Sequence, residues 1–457
     1  MAMGRRKQRQ ASLFVVTEKL VRSQGHPFYR KLNELLAEAG FDRWIEARCK
    51  QYYELEEKRG RPSLPPGVYF RMLLIGYFEG IGSQRGIAWR CCDSRSLAEF
   101  LGYGPDEGTP DHSTMSLTRT RLPIEVFEEV FQFVLKVAKE KRLIDGKTVG
   151  VDSTTLEANA AMKSIQRRDT GEDWREYLVR LMREEGVVKG GEDPSDEDVR
   201  RFDKGRKGKK VSNDEWVAPN DPDARITQMK DGRTHLAYKA EHVVDLESEL
   251  ILAAEILPAD QGDAQTLVDS VVAAQNNLKQ AKIDVEIAEV AADKGYYSAQ
   301  SIELSDDLAM RTYIPEPKSP HQRKWTDKPS GFQRAVYENR RRMRRAKGKR
   351  LGKLRSERVE RSFAHVCDTG GMRRSWLTGT IDVTKRYRVA AAAHNLGRIL
   401  RKLFGIGKPK ALQGFLALVL FAYLLVRACR SACMGLLERL TDFIDACALG
   451  RPWAAPR

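Results

Sequence analysis

Through the first 145 positions apolar residues return every three or four places. KLNELLAEAGFDRWIEARC and GVYFRMLLIGYFEGIGSQRGIAWRC both do so, which predicts helices with one buried face. Pro65-Pro66 marks a helix start, where the first turn has no use for the missing N–H. Asp111-His112-Ser113-Thr114 offers side-chain oxygens at another N-terminus, and Pro123 opens the next helix, PIEVFEEVFQFVLKVAKEK. Residues 1–145 therefore read as a small helical domain.

The period changes at Lys147. KTVGVDSTTLEA opens with β-branched residues and carries Asp152 where the strand should end. From about 163 to 220 the chain becomes charged and glycine-rich. Leu178, Leu181 and Met182 predict one amphipathic helix, and the rest reads as a solvated insertion. THLAYKAEHVVDLESELILAAEILPA then gives two β-rich runs around Asp245-Leu246-Glu247-Ser248, as in a hairpin. A helix (DAQTLVDSVVAAQNNLKQA), a strand (DVEIAEVAAD), a helix (SAQSIELSDDLA) and a strand (MRTYIPEP) follow. Residues 318–358 read as a long basic loop, then come a helix through SERVERSFAHV and a long one, KRYRVAAAAHNLGRILRKLF. A hairpin followed by alternating helix and strand predicts an α/β fold, a mixed sheet covered by helices, over 146–405.

Residues 406–457 form a tail. Its run ALQGFLALVLFAYLLV, Ala411 to Val426, is shorter than the ~20 residues of a usual bilayer span. It is read as a buried or partner-facing helix, with no membrane partner expected. The composition changes one thing. Lys plus Arg number 79 against 63 Asp plus Glu among 457 residues, a net charge of +16 that favours a polyanionic partner. Seven scattered cysteines without a CxxC pair exclude a disulfide scaffold or zinc ribbon, and a cytoplasmic location is expected.

Candidate chemistry begins with Asp152 after Thr148-Val149-Gly150-Val151, and Asp293 after Ala288-Glu289-Val290-Ala291-Ala292. Acids at the ends of adjacent strands can hold hard cations, although Asp also ends strands simply because it suits turns. In the helix around Val359, Phe363 and Val366, Glu360 falls roughly 90° from the apolar stripe, at its boundary. Glu357 and Asp368 point further outward. No Ser/His/Asp or Cys/His arrangement competes. His365 reads as a surface residue, His112 as a capping-region residue and His242 as a strand residue.

These segments resemble a known family. GVDSTTLEANA, AADKGYYS and RSERVERSFAHVCDTGGMRRSWLTG look like the three acidic motifs of bacterial insertion-sequence transposases of the DDE type. PDHSTMSLTRTRL, DPDAR, LAYKAEHVVD and NLGRILRKL match in the same order, so the resemblance covers most of 50–405. It implies an RNase H-like core, a mixed five-stranded sheet flanked by helices, with Asp152, Asp293 and Glu360 as a metal-binding catalytic triad. Two Mg²⁺ or Mn²⁺ ions and double-stranded DNA, both element ends and target, are implied as cofactor and partner. So are assembly as a homodimer or larger complex and association with the nucleoid. The sequence departs from the family's Tyr-Arg-Glu-Lys signature: position 356 is Ser and 367 is Cys.

The run NRRRMRRAKGKRLGKLRSER precedes the third acid, and it is read as a surface that tracks DNA phosphates. Its members Arg340, Arg341, Arg342, Arg344, Arg345, Lys347 and Arg350, joined by Arg373 and Arg374, are the expected DNA contacts. The N-terminal helices are expected to bind element ends. A DNA-binding protein of the same fold without catalysis, or a metal-dependent nuclease, stands as the alternative to a transposase that cuts and joins strands.

Overall fold

The computed structural model describes residues 25–53, 63–104, 106–189, 191–207, 211–229, 232–318 and 324–409. The apolar run at 411–426 lies outside the described residues. The N-terminal region is helical, as its periodicity requires: α1 (Pro27–Glu38), α2 (Phe41–Cys49), α3 (Pro66–Glu79), α4 (Gln84–Asp93), α5 (Arg95–Leu101), α6 (His112–Arg121) and α7 (Ile124–Glu140). Pro65 precedes α3, Pro123 precedes α7, and the Asp111 carboxylate caps α6 by accepting from the Ser113 N–H.

The sheet begins with β1 (Thr148–Glu157), which runs five residues past Asp152. Asp152 thus stands within a strand and not at its end, because antiparallel pairing with the hairpin holds β1 extended as far as Glu157. The charged insertion is more ordered than its composition suggests. It holds β2 (Gln166–Arg167), α8 (Trp174–Glu184), α9 (Asp196–Gly205) and β3 (Trp216–Val217). Leu178, Val179 and Met182 of α8 meet Val199 of α9 in a small separate core. The second helix is signalled only by Ser195 at its cap and three acids in its first turn.

Then come β4 (Arg225–Gln228), β5 (Thr234–Asp245), β6 (Ile251–Pro258), α10 (Asp263–Gln280), β7 (Glu289–Ala291), α11 (Ala299–Asp307) and β8 (Arg311–Tyr313). The sheet has six strands, one more than expected. Ala237 of β5 pairs with Glu157 on one side and Arg225 on the other, so the short β4 extends the edge that β6 occupies. β5 is antiparallel to β1, whereas β7 and β8 lie parallel on β1's other side.

The stretch read as a basic loop is two helices, α12 (Ser330–Arg344) and α13 (Ala346–Phe363), and a π-helical turn (Ala364–Thr369) prolongs the second. Charge hid a sparse buried set, Ala335, Val336 and Asn339, then Gly348 and Leu351. Lys and Arg are themselves good helix formers. Asn339 ties α12 to the sheet by bonding both the N–H and the C=O of Ile314, just past β8. The last described helix, α14 (Thr380–Phe404), is buried almost all round, and its four consecutive alanines, 390–393, let neighbours approach from every side. It lies between β6 and the N-terminal α3 and α7, so one apolar core runs from the helical region into the sheet.

Helix α13 lies directly on β1 at Gly150. A Cβ there would stand 2.8 Å from both Val359 Cγ2 and Leu246 Cδ2 and 3.1 Å from Arg355 Cγ. Gly150→Val should therefore lift α13 from the sheet and cost about 1–3 kcal/mol of stability. Chemical denaturation should show it, and an unchanged midpoint would mean the helix does not sit on this glycine.

Candidate active site

The parallel pairing of β1 with β7 ends at Gly150 opposite Ala291. Asp152 and Asp293 each come two residues later, so the register sets them level. Asp152 shares the face of Gly150, the face that α13 covers. Asp293 caps the 3₁₀ turn Lys294–Tyr296, its Oδ1 accepting from the Gly295 N–H at 2.7 Å.

Val359, Phe363 and Val366 are buried, as the helical stripe predicted. Glu360, next to Val359, is exposed above the sheet, and its Oε1 accepts from Ser356 Oγ at 2.9 Å. Arg355 reaches from the same helix to Asp152, Nη1 to Oδ2 2.7 Å, with 13% and 19% of the two side chains exposed. The Ser153 N–H donates to the other oxygen, Oδ1.

The Asp152 carboxyl is pushed up to about 6. Burial is the main cause, Arg355 and the Ser153 N–H oppose it, and the negative charges of Asp293 and Glu360 add to it. Two of the acids predicted from sequence thus act on the third, Asp152. His242 pairs with Asp152 across β1 and β5 and joins the layers. Its Nδ1 meets Ser362 Oγ and its Nε2 meets Tyr387 OH, both at 2.8 Å, while its ring stacks on Phe363. Burial pushes its pKa down to about 3, which keeps it neutral.

A second acid near Asp293 escaped the sequence reading. Asp263, at the start of α10, accepts from Ser153 Oγ (2.9 Å) and pairs with Lys239 Nζ (2.8 Å). A Cβ on Gly295 would lie 2.9 Å from Asp263 Oδ2 and 3.0 Å from Asp293 Oδ1, so the two carboxylates flank that glycine. Lys239 also meets buried Glu241, which accepts from Thr266 and Tyr296. The only sequence signal was Asp263 in a helix's first turn, which capping alone explains.

The donor set suits a hard divalent cation in kind: carboxylate oxygens only, one of them with its pKa raised by burial first and by its like-charged neighbours second. As the side chains stand, no three His, Cys, Asp or Glu among the described residues converge at ligating distance. Each oxygen of Asp152 accepts one hydrogen bond and keeps a second lone pair, so a cation there would share the carboxylate with Arg355 or displace it.

The expected DNA contacts divide into two groups. Arg340 pairs with Glu316, Arg342 with Asp306 and the Thr312 carbonyl, and Lys347 with Glu289. Arg373 bonds Asp368 and Thr154, and Arg374 lies 3.7 Å from Glu157. These hold the fold around the site. Arg341, Arg344, Arg345 and Arg350 are exposed at the corner between α12 and α13, without ion pairs among the described residues. His365 is half-buried against His394, and not on the surface as expected, because the π-helical turn rotates it inward.

The fold and site together define an α/β protein with a mixed sheet, an acidic cluster at its edge and a basic helical corner beside it. A family model described as Transposase domain (DUF772) matches residues 15–121, and one described as Transposase DDE domain matches 317–400. The second span includes Glu360; Asp152 and Asp293 lie outside both. No curated protein and no solved structure matches the chain. The two domains support an insertion-sequence transposase of the DDE type, a family generally dependent on divalent metal. Among the described residues no helix is long and apolar enough to cross a membrane.

A protonated carboxyl cannot ligate a cation. Mn²⁺ binding to the metal-free protein should therefore weaken as pH falls through about 6, the point set by Asp152. In Arg355→Gln the lost counter-ion should move that midpoint upward. Calorimetric titrations between pH 5 and 8 would show both effects, and identical midpoints would mean that Arg355 does not touch Asp152 in solution.

Proposed function

We propose that the protein cleaves the DNA ends of its element and joins them to target DNA, with Asp152, Asp293 and Glu360 as the catalytic acids in an RNase H-like core. One observation carries this reading: Asp293 and Glu360 both act on half-buried Asp152, from the turn past the neighbouring strand and from the helix laid across it. One acid within a strand, one in the turn just past the neighbouring strand and one on the helix above would hold a phosphodiester between them.

Bound divalent ions would supply Lewis acidity at the phosphate and lower the pKa of an attacking water or 3′-hydroxyl. The three carboxylates would hold them, and His242 would keep β5, α13 and α14 in register behind Asp152. Arg355, released from Asp152, would be placed to donate to a phosphate oxygen. The exposed arginines of the α12–α13 corner would track the DNA backbone, adding affinity without reading sequence. The N-terminal helices would engage the element ends, in an assembly of two or more protomers at the nucleoid.

Asp152→Ala, Asp293→Ala and Glu360→Ala should each abolish Mg²⁺-dependent cleavage of element-end DNA while leaving binding in place. Strand analysis with and without Mg²⁺ checks this, and full activity in any variant removes that residue from the triad. The hold of Arg355 on Asp152 favours a second reading, a DNA-binding protein without catalysis. That reading predicts a parent protein as inactive as its variants. Neutralising Arg341, Arg344, Arg345 and Arg350 together should flatten the salt dependence of binding, by about 0.9 in log–log slope per lost phosphate contact. Neutralising the paired Arg340 and Arg342 should change stability more than slope. Equal slopes in parent and quadruple variant would place DNA elsewhere.

A further inference from the structure

The face of the sheet turned away from α13 carries a line of buried polar side chains beneath the acids. Successive residues of a strand point to opposite faces. Asp152 and His242 meet α13, so their neighbours Ser153 and Glu241, paired across β1 and β5, point the other way. Lys239, two residues before Glu241, shares that side. The start of α10, with Asp263 and Thr266, and the 3₁₀ turn Lys294–Tyr296 cover it.

Asp293 lies beyond the strand that leads to it. β7 stops pairing with both of its neighbours at Ala291. The bonds that shape the following turn are local: the Gly295 N–H donates to Asp293 Oδ1, and the Tyr296 N–H to the Asp293 carbonyl. Tyr296 reaches further. Its side chain is fully buried, and its hydroxyl donates to Glu241 Oε2 at 2.8 Å. Glu241, also fully buried, accepts at the same oxygen from Thr266 Oγ1, again at 2.8 Å. Lys239 lies 3.3 Å from that oxygen and 2.8 Å from Asp263 Oδ1, which accepts from Ser153 Oγ at 2.9 Å. An unbroken line thus runs from the residue after Asp152, through Asp263, Lys239 and Glu241, to the turn that holds Asp293.

This line is a poor source of stability. One ammonium serves two carboxylates, and Glu241 Oε1 has no partner among the described residues. Replacing a buried ion pair by apolar side chains of similar volume is often neutral or stabilising, and a buried oxygen without a donor adds a further cost. What the line supplies is a fixed distance. Glu241 belongs to the strand beside β1, so the Tyr296 hydroxyl sets the turn's place relative to the strand that carries Asp152.

We propose that Tyr296, held by Glu241, is a positioning residue: it fixes Asp293 relative to Asp152 and so sets the gap that a divalent cation would span. The proposal rests on the reading of those two acids as metal ligands. Tyr296 itself touches neither cation nor DNA; it acts through Asp293, three residues before it. Groups that orient a ligand in this way govern affinity, and losing one typically weakens metal binding about 10–100-fold.

The test is calorimetric titration of Mn²⁺ into the metal-free, full-length protein and two variants. Tyr296→Phe removes one hydroxyl and should weaken binding about tenfold or more. Thr266→Val takes the other hydroxyl donor from the same carboxylate oxygen, but from α10, and should bind as the parent does, whatever either change does to the unfolding temperature. Parental affinity in Tyr296→Phe would overturn the proposal. So would an equal loss in Thr266→Val, which would mean that any loosening around Glu241 is felt at the acids. A parent that binds no Mn²⁺ would overturn the reading of the acids and this proposal with it. A parent that binds, with Tyr296→Phe binding equally well, would overturn this proposal alone.

Discussion

A short parallel pairing and the missing side chain beside it govern the geometry of the site. β1 and β7 pair through three residues, the pairing ends at Gly150 and Ala291, and Asp152 and Asp293 therefore stand at the same level, the first still within β1 and the second in the turn past β7. Gly150 has no Cβ, so Val359 and Arg355 lie against the strand. That single contact brings a helix carrying both an acid and a counter-ion over the sheet's edge. The His242 bonds to Ser362 and Tyr387 make the arrangement stiff, because a buried neutral imidazole with both nitrogens engaged tolerates little displacement.

Charge is sorted by depth. Near Asp152 the protein concentrates carboxylates, tolerates their repulsion and balances it with Arg355. On the surface of α12 and α13 several cations are tied to partners and shape the fold, and those at the corner face water. Ion pairs remove cations and acids in equal number, so they leave the net charge of +16 unchanged and decide only where the unpaired positive charge stands.

Helical periodicity made the N-terminal region, α10, α11 and α14 readable, and alternation made the hairpin readable, because each buries a face wide enough to leave a pattern. The acids at 152, 293 and 360 were legible through their motifs and, for Glu360, through its angle from the stripe of α13. Asp263 was not, since nothing local separates a capping acid from one that folding brings beside Asp293. β4, only four residues long, and α9, with one buried apolar residue, carry too little pattern to be seen. The basic stretch misled for a related reason. Its helices are held by a few small or polar contacts such as Asn339, and composition weighs those far less than eleven cations.

Local pattern determined that this chain forms a helical region joined to a mixed α/β sheet, and resemblance of its motifs to a known family singled out three particular acids. Those properties depend on period, capping and motif order, which are local. Tertiary structure decided that Asp152 lies inside a strand, that Arg355 holds it, and that Arg340, Arg342 and Lys347 of the basic run are tied to Glu316, Asp306 and Glu289. Each of these is a contact between residues far apart in the chain, set by strand register and helix packing, and no local pattern encodes which distant partner a side chain will meet.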